Sequence, residues 1–193
     1  MNNQQFICIY GASSASINPT YISAANLVGL YVAEMGRVLV CGAGRTGIMG
    51  AATDAAISAG GEVVGVIPKF MVDNGWHHEN VTRLEVTEDM HSRKQRMAEL
   101  AHGVIALPGG CGTMEELLEI ITWKQLGLYH GNIVILNTNG YYNSLIDMLD
   151  KAVEQHFMKE DHKSLWVVTD TPQEAVKAAC SDVAESEITS KYQ

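Results

Sequence analysis

Apolar residues come in short runs along this chain, and helical patterns fill the intervals between them. Phe6–Tyr10 is the first run, and others fall at 37–41, 62–67, 103–107, Asn132–Leu136 and 165–169, with a less apolar short one at Arg83–Thr87. Runs of this kind, rich in Val and Ile and bounded by Gly or Pro, predict buried strands. A helix opens at Pro19, whose fixed φ suits a first turn. An alanine-rich helix over 48–59 ends at Gly60-Gly61, and further helices are predicted over 90–101, 115–126, 142–156 and 173–180. The segment 69–80 shows no periodicity and reads as a long loop. Strands that are apolar on both faces, each followed by a helix, predict an α/β fold. It is a Rossmann-like, doubly wound parallel sheet of six to seven strands with helices on both faces. No linker or repeat divides the chain, so residues 1–180 are expected to form one nucleotide-binding domain and 181–193 a polar tail that frays.

Ligands of such sheets bind beyond the carboxyl ends of the strands. The richest strand exit is Leu107-Pro108-Gly109-Gly110-Cys111-Gly112-Thr113-Met114-Glu115-Glu116. Its glycines leave backbone N–H groups uncovered where a helix begins, which is how a protein holds a phosphate. Thr113 is expected to N-cap the helix, and Glu115 and Glu116 to sit on its first turn. A capped turn whose acids merely complement the helix dipole is the bland alternative. What weighs against it is the preceding helix, which opens with Asp89-Met90-His91-Ser92-Arg93-Lys94. Met90, Met97, Leu100 and Ala101 mark its buried face by their spacing, and Arg93 lies beside that face. Consecutive helix starts meet at one strand-end rim, so Arg93 and Glu116 are expected to face one ligand from two sides. A solvated basic helix face is the bland alternative, since Lys94 and Arg96 would look normal at a surface.

Gly42-Ala43-Gly44-Arg45-Thr46-Gly47 satisfies the G-x-G-x-x-G pattern of dinucleotide sites. It follows the second strand rather than the first, and no carboxylate closes the next strand to hold ribose hydroxyls. Glycines for a tight turn and close packing are the better reading. A P-loop is excluded, because no G-x-x-x-x-G-K-[ST] occurs.

A net charge of −9 and a pI near 5.2 argue against nucleic acid as a partner, since no basic stripe is present. No apolar run approaches the roughly 20 residues that span a bilayer, so neither membrane nor leader is expected and the location is read as cytoplasmic. Cys8, Cys41, Cys111 and Cys180 lack paired spacing and read as free, buried thiols. His77-His78 has no further ligands near it in sequence and reads as polar loop rather than metal site. The tryptophans read as packing residues, Trp76 in the loop excepted.

Pro108-Gly109-Gly110-x-Gly112-Thr113-x-x-Glu116, with Met90-His91-x-Arg93-Lys94 upstream, resembles the LONELY GUY family of nucleoside 5′-monophosphate phosphoribohydrolases, also labelled "possible lysine decarboxylases". The resemblance extends through Gly11-Ala12-Ser13-Ser14, residues 42–50, Pro68-Lys69 and Thr122-Trp123. It implies a Rossmann-like homodimer with its site at or near the interface, no cofactor, and hydrolysis of cytokinin riboside 5′-monophosphates and AMP to free base and ribose 5-phosphate. It also implies that Arg93 and Glu116 are catalytic. The ligand contacts it implies are Lys94, Gly110, Cys111, Gly112, Thr113, Met114, Glu115, Glu116 and Thr122, to which the neighbouring loops add Ser13, Met90 and Gly109. Two stretches depart from the family: Arg45 after Gly42-Ala43-Gly44, and the loop 72–80, read as the source of base specificity. Decarboxylation would need pyridoxal phosphate on a lysine, and Lys69, Lys94 and Lys124 have no setting that offers it. A non-catalytic carrier of a nucleotide or pterin cofactor would keep the glycine loop, with no need of Arg93 or Glu116.

Overall fold

In a computed structural model describing residues 5–182, the apolar runs pair into one parallel sheet of seven strands. These are β1 (Phe6–Tyr10), β2 (Val38–Cys41), β3 (Val63–Pro68), β4 (Arg83–Thr87), β5 (Gly103–Ala106), β6 (Asn132–Leu136) and β7 (Val167–Thr169). The helices are α1 (Pro19–Glu34), α2 (Gly47–Ser58), α3 (Lys69–Asp73), α4 (Met90–Leu100), α5 (Cys111–Gln125), α6 (Asn143–Glu154) and α7 (Pro172–Cys180). The strand order is β4-β3-β2-β1-β5-β6-β7, so the chain builds outward from β1 one way, then returns and builds outward from β5 the other way. The two directions divide the helices between the faces, as short same-handed crossovers require.

Alternation along each strand gives the sheet two cores. Ile7, Ile9, Leu39, Ile105 and Leu107 face α1, α2 and α7, packing with Val28, Ala52 and Val176. Cys8, Tyr10, Val40, Val104 and Ala106 face α4, α5 and α6, packing with Met97, Leu117 and Leu149. On the first face α1 and α2 touch through backbone, because a Cβ on Gly29 would run into the carbonyl of Ala52.

Three expectations need correction. The segment 69–80 is not all loop: it begins with α3, one and a half turns held by a Lys69–Asp73 ion pair at 2.7 Å. A helix that short has no room for an apolar stripe to register in sequence. The last strand is three residues rather than five, because a 3₁₀ turn over Glu160–Leu165 takes up its start. The helix after β5 starts at Cys111, ahead of the predicted position 115, with consequences for the site. Residues 183–193 of the predicted tail lie outside the described residues. Among the described residues no helix is long and apolar enough to cross a membrane.

Candidate active site

At the switch point, where β1 and β5 lie side by side and their helices go to opposite faces, the strand-end loops spread apart. A cleft of about 620 Å³ opens there. Gly11–Ser14 after β1 and Gly42, Gly44, Arg45 and Thr46 after β2 line it, with Met49 of α2, Met71 of α3 and Trp76 on the far wall. Met90 and Arg93 of α4, and Gly110, Gly112, Thr113, Glu115 and Glu116 at the start of α5, complete it.

The N-cap of α5 is Gly110 in extended conformation (φ −83°, ψ −159°), not Thr113. Glycine reaches that conformation without a side-chain cap, so the helix starts as soon as Pro108 and Gly109 have cleared the strand. Thr113 falls inside the first turn, buried, packed so closely over Gly109 that a Cβ there would strike its hydroxyl. Glu115 and Glu116 therefore fall on the second turn, and no acid occupies the first.

The four successive carbonyls from Leu107 to Gly110 all accept hydrogen bonds. The Tyr142 hydroxyl donates to Leu107 O (2.6 Å) and the Ala12 N–H to Pro108 O (3.4 Å). The Tyr141 hydroxyl donates to Gly109 O (2.7 Å) and the Met114 N–H to Gly110 O (3.0 Å). Among the described residues no protein acceptor meets the N–H of Gly110, Cys111, Gly112 or Thr113. A loop with occupied carbonyls and open amides is an anion cradle.

Opposite it stands Arg93. Asp89 and Ser92 form a capping box that fixes the start of α4, with the Ser92 N–H donating to Asp89 Oδ1 at 2.8 Å. One residue on, Arg93 turns inward, 6% exposed. Its Nε donates to Val66 O at 3.2 Å, and its Nη1 lies 3.6 Å from Glu116 Oε1. Gly42 has no side chain because the guanidinium fills the space a Cβ would need. Glu116 is 9% exposed. Burial raises its pKa above the ordinary carboxylate value, and the Arg93 charge holds it back. Cys8 and Tyr10 lie beneath it, their own pKa values pushed up by burial and further by the Glu116 charge.

Lys94 is no surface charge. It is as buried as Arg93, and its Nζ donates to Glu115 Oε1 (2.8 Å) and Glu119 Oε1 (3.1 Å). Burial works against its charge, but the two carboxylates outweigh that and raise its pKa. The hydrogen bond from Lys94 in turn lowers that of Glu115.

Of the predicted site residues, Ser13, Met90, Arg93, Gly110, Gly112, Thr113, Glu115 and Glu116 meet in the cleft. Gly109 supports the loop from behind, Met114 is half-buried in α5, and Cys111 is exposed at the helix start. An exposed Cys111 and a half-buried Cys180 also correct the expectation of uniformly buried thiols. Thr122 lies farther along α5, exposed, with its hydroxyl donating to Leu118 O at 2.8 Å. Met90, expected on the buried face, is partly exposed in the cleft wall and accepts from Arg93 Nη1 through its sulfur (3.7 Å). Sequence reasoning missed Tyr141 and Tyr142, which carry no motif, and Gly42 and Met49. Gly42 was read, through the G-x-G pattern, as a glycine for a tight turn and close packing, which holds, but the pattern gave no hint that Arg93 is what packs against it.

His78 is buried: its Nδ1 accepts from the Asn80 N–H (3.2 Å), leaving Nε2 to donate to Asp54 Oδ1 (3.0 Å). Trp76 is half-exposed. Among the described residues no three His, Cys, Asp or Glu side chains gather where they could hold a metal ion.

A protein-family model described as "Possible lysine decarboxylase" matches residues 49–179. The residues present do not fit the cofactor that label implies. No lysine lines the cleft among the described residues, Lys94 is held by its two carboxylates, and Lys124 Nζ donates to Gly131 O at 2.9 Å. Among solved structures, the chain resembles the molybdenum cofactor carrier protein from Chlamydomonas reinhardtii. That likeness has a TM-score of 0.71 at 23% identity, over 91% of this chain and 96% of that one. It also resembles the molybdenum cofactor binding protein from Rippkaea orientalis, with a TM-score of 0.70 at 19% identity over 92% and 96%. At such identities the likeness is one of fold. Sequence relatives are much nearer. The chain is 41% identical to the cytokinin riboside 5′-monophosphate phosphoribohydrolase LOG1 of Arabidopsis thaliana over 171 residues, 89% of this chain and 80% of that protein. It is 38% identical over 182 residues to LOG of Oryza sativa subsp. japonica, 94% of this chain and 75% of that protein. Identity at this level across most of both chains, joined to the cleft just described, shows that the chain belongs to the LONELY GUY family of cytokinin riboside 5′-monophosphate phosphoribohydrolases.

Proposed function

We propose that this protein hydrolyses the N-glycosidic bond of nucleoside 5′-monophosphates with adenine-like bases, cytokinin riboside 5′-monophosphates and AMP among them. The products are the free base and ribose 5-phosphate. The observation that carries the reading is the buried Arg93–Glu116 pair, 3.6 Å apart, in the same cleft as the open amides of α5. The amides of residues 110–113 hold the 5′-phosphate, and that remote binding energy positions the anomeric carbon beside Glu116. As the bond from C1′ to the base nitrogen breaks, its electron pair leaves with the base and positive charge builds on the ribose. Glu116, ionised, stabilises that charge and takes a proton from the water that adds to C1′. The proton that Glu116 has taken from the water then passes, through solvent, to the departing base nitrogen, and Glu116 returns to its ionised form. Arg93 keeps Glu116 ionised against the burial that favours its neutral form. A carrier protein would need the cradle but not this pair.

The reading extends to a homodimer in the cytoplasm with the site near the interface. Supporting it, Thr122, Leu118 and Leu128 are exposed around the far part of α5, outside the cleft of their own chain. A second copy seated there brings Thr122 to a site it does not reach alone. Sedimentation of the intact protein as a dimer is the expected result.

Incubation with AMP is expected to release adenine. Glu116→Gln is expected to keep ribose 5-phosphate binding and lose roughly 10²–10⁴-fold in turnover, the range of a general base. Undiminished turnover in that variant defeats the assignment.

A further inference from the structure

The segment joining β6 to α6 packs against the back of the phosphate loop and takes no part in lining the cleft. Its shape is set by two consecutive residues with positive φ, Asn139 (55°) and Gly140 (69°), in the turn after β6. Asn137 ties the turn together, accepting the Tyr142 N–H at Oδ1 (2.7 Å) and donating from Nδ2 to Asn143 (2.8 Å). The turn sends two tyrosines back toward one target. Tyr142 is buried, and its hydroxyl reaches the Leu107 carbonyl. Tyr141 is partly exposed, its ring edge-on to Tyr21 of α1 (5.7 Å) and to Tyr142 (5.1 Å), and its hydroxyl reaches the Gly109 carbonyl.

The two bonds differ in what they fix. The Leu107 carbonyl shares its peptide plane with Pro108, which has no N–H, so Tyr142 anchors the point where the chain leaves the strand. The Gly109 carbonyl shares its plane with the Gly110 N–H, and in a trans peptide the two point in opposite directions. Gly109 and Gly110 have no side chains to hold that plane, and glycine samples both signs of φ freely. Drawing the carbonyl outward toward Tyr141 therefore turns the amide of Gly110 toward the cleft. We propose that Tyr141 is a positioning residue for the substrate's phosphate: its hydroxyl orients the Gly109–Gly110 peptide so that the first amide of the cradle is aimed before ligand arrives. This rests on the phosphate-cradle reading of the loop given above.

Tyr141→Phe removes the hydroxyl and keeps the ring contacts with Tyr21 and Tyr142. Calorimetric titration with ribose 5-phosphate is expected to show binding weakened about fivefold to tenfold, as loss of one hydrogen bond allows. Adenine binding should stay within twofold and kcat for AMP should be little changed at saturation, so that the loss falls on KM. Ribose 5-phosphate bound as tightly as by the unaltered protein overturns the proposal. Equal weakening of adenine and ribose 5-phosphate also overturns it, since that is general loosening of the site. The titration needs no turnover. If the unaltered protein binds ribose 5-phosphate but cleaves no nucleotide, the hydrolase reading falls while the role of Tyr141 is still measured.

Discussion

Two glycine loops flank the first strand, one after β2 and one after β5, and they use glycine for opposite ends. In the β5 loop, absent side chains expose the backbone: Gly110 and Gly112 have open space where a Cβ would stand, and among the described residues the nearby amides meet no protein acceptor. In the β2 loop, the absent side chain at Gly42 is filled by another residue, the guanidinium of Arg93. One loop leaves backbone donors open, and the other yields volume to a side chain from a different helix. A glycine pattern alone does not distinguish these uses. What separates them is whether the space left empty faces solvent or a neighbouring charge.

The difference is open to attack from either side. Gly42→Ala is expected to push Arg93 from its place and cost about 10² in kcat/KM, the scale of a displacement near 1 Å at a reacting centre. Binding of ribose 5-phosphate should survive, because the β5 cradle is untouched. If Gly42→Ala weakens phosphate binding as much as turnover, the two loops are not separate in function. Arg93→Gln acts more gently. With the cation gone, nothing comparable opposes the burial that raises the Glu116 pKa, so that pKa climbs further. Less of Glu116 is then ionised at a given pH, and the acid limb of the pH profile of kcat/KM moves upward. The loss should be about tenfold near pH 6 and smaller near pH 8, and a stationary limb assigns the limb to another group. The smallest effect is expected at Arg45, exposed on the β2 wall next to Trp76. On the reading of this wall as the base end of the cleft, Arg45→Ala removes a charge there and should favour apolar base substituents. The ratio of kcat/KM for isopentenyladenosine monophosphate over AMP should rise about twofold to fivefold, in keeping with a solvent-exposed charge. An unchanged ratio puts the base elsewhere.

The doubly wound sheet was legible because its seven strands and six of the seven α-helices repeat short-range patterns: apolar runs, glycine exits and proline or Asx caps. Arg93 and Glu116 were legible for a related reason, since successive helix starts in such a sheet share one rim. The identity of the α5 cap was not. Thr113 is the better capping residue by type, and only the extended conformation of Gly110 decides against it. The burial of Lys94 was hidden too, because its partners Glu115 and Glu119 are remote in sequence and meet it only when α4 packs beside α5. Tyr141 and Tyr142 escaped notice because their part is played against carbonyl oxygens, which leave no trace in a sequence.

The wall that carries Trp76 is joined to the rest of the cleft in an unusual way. The Arg45 N–H donates to Trp76 O (3.4 Å), the His78 N–H donates to Ala43 O (2.8 Å), and Gly44 and His77 form an isolated antiparallel bridge. All of these ties run through main chain; Asn74 donates from its side chain to Phe70 O (2.6 Å) and Gly75 holds a positive φ of 68°, so within 74–77 it is the half-exposed Trp76 side chain that is under little obligation to the fold. The segment behaves as an exchangeable tile. The Trp76 side chain is expected to be replaceable while the tile keeps its seat and the Arg93–Glu116 pair keeps its place. On the reading of loop 72–80 as the source of base specificity, a lineage of such proteins could alter which bases it accepts at Trp76 without renegotiating the chemistry.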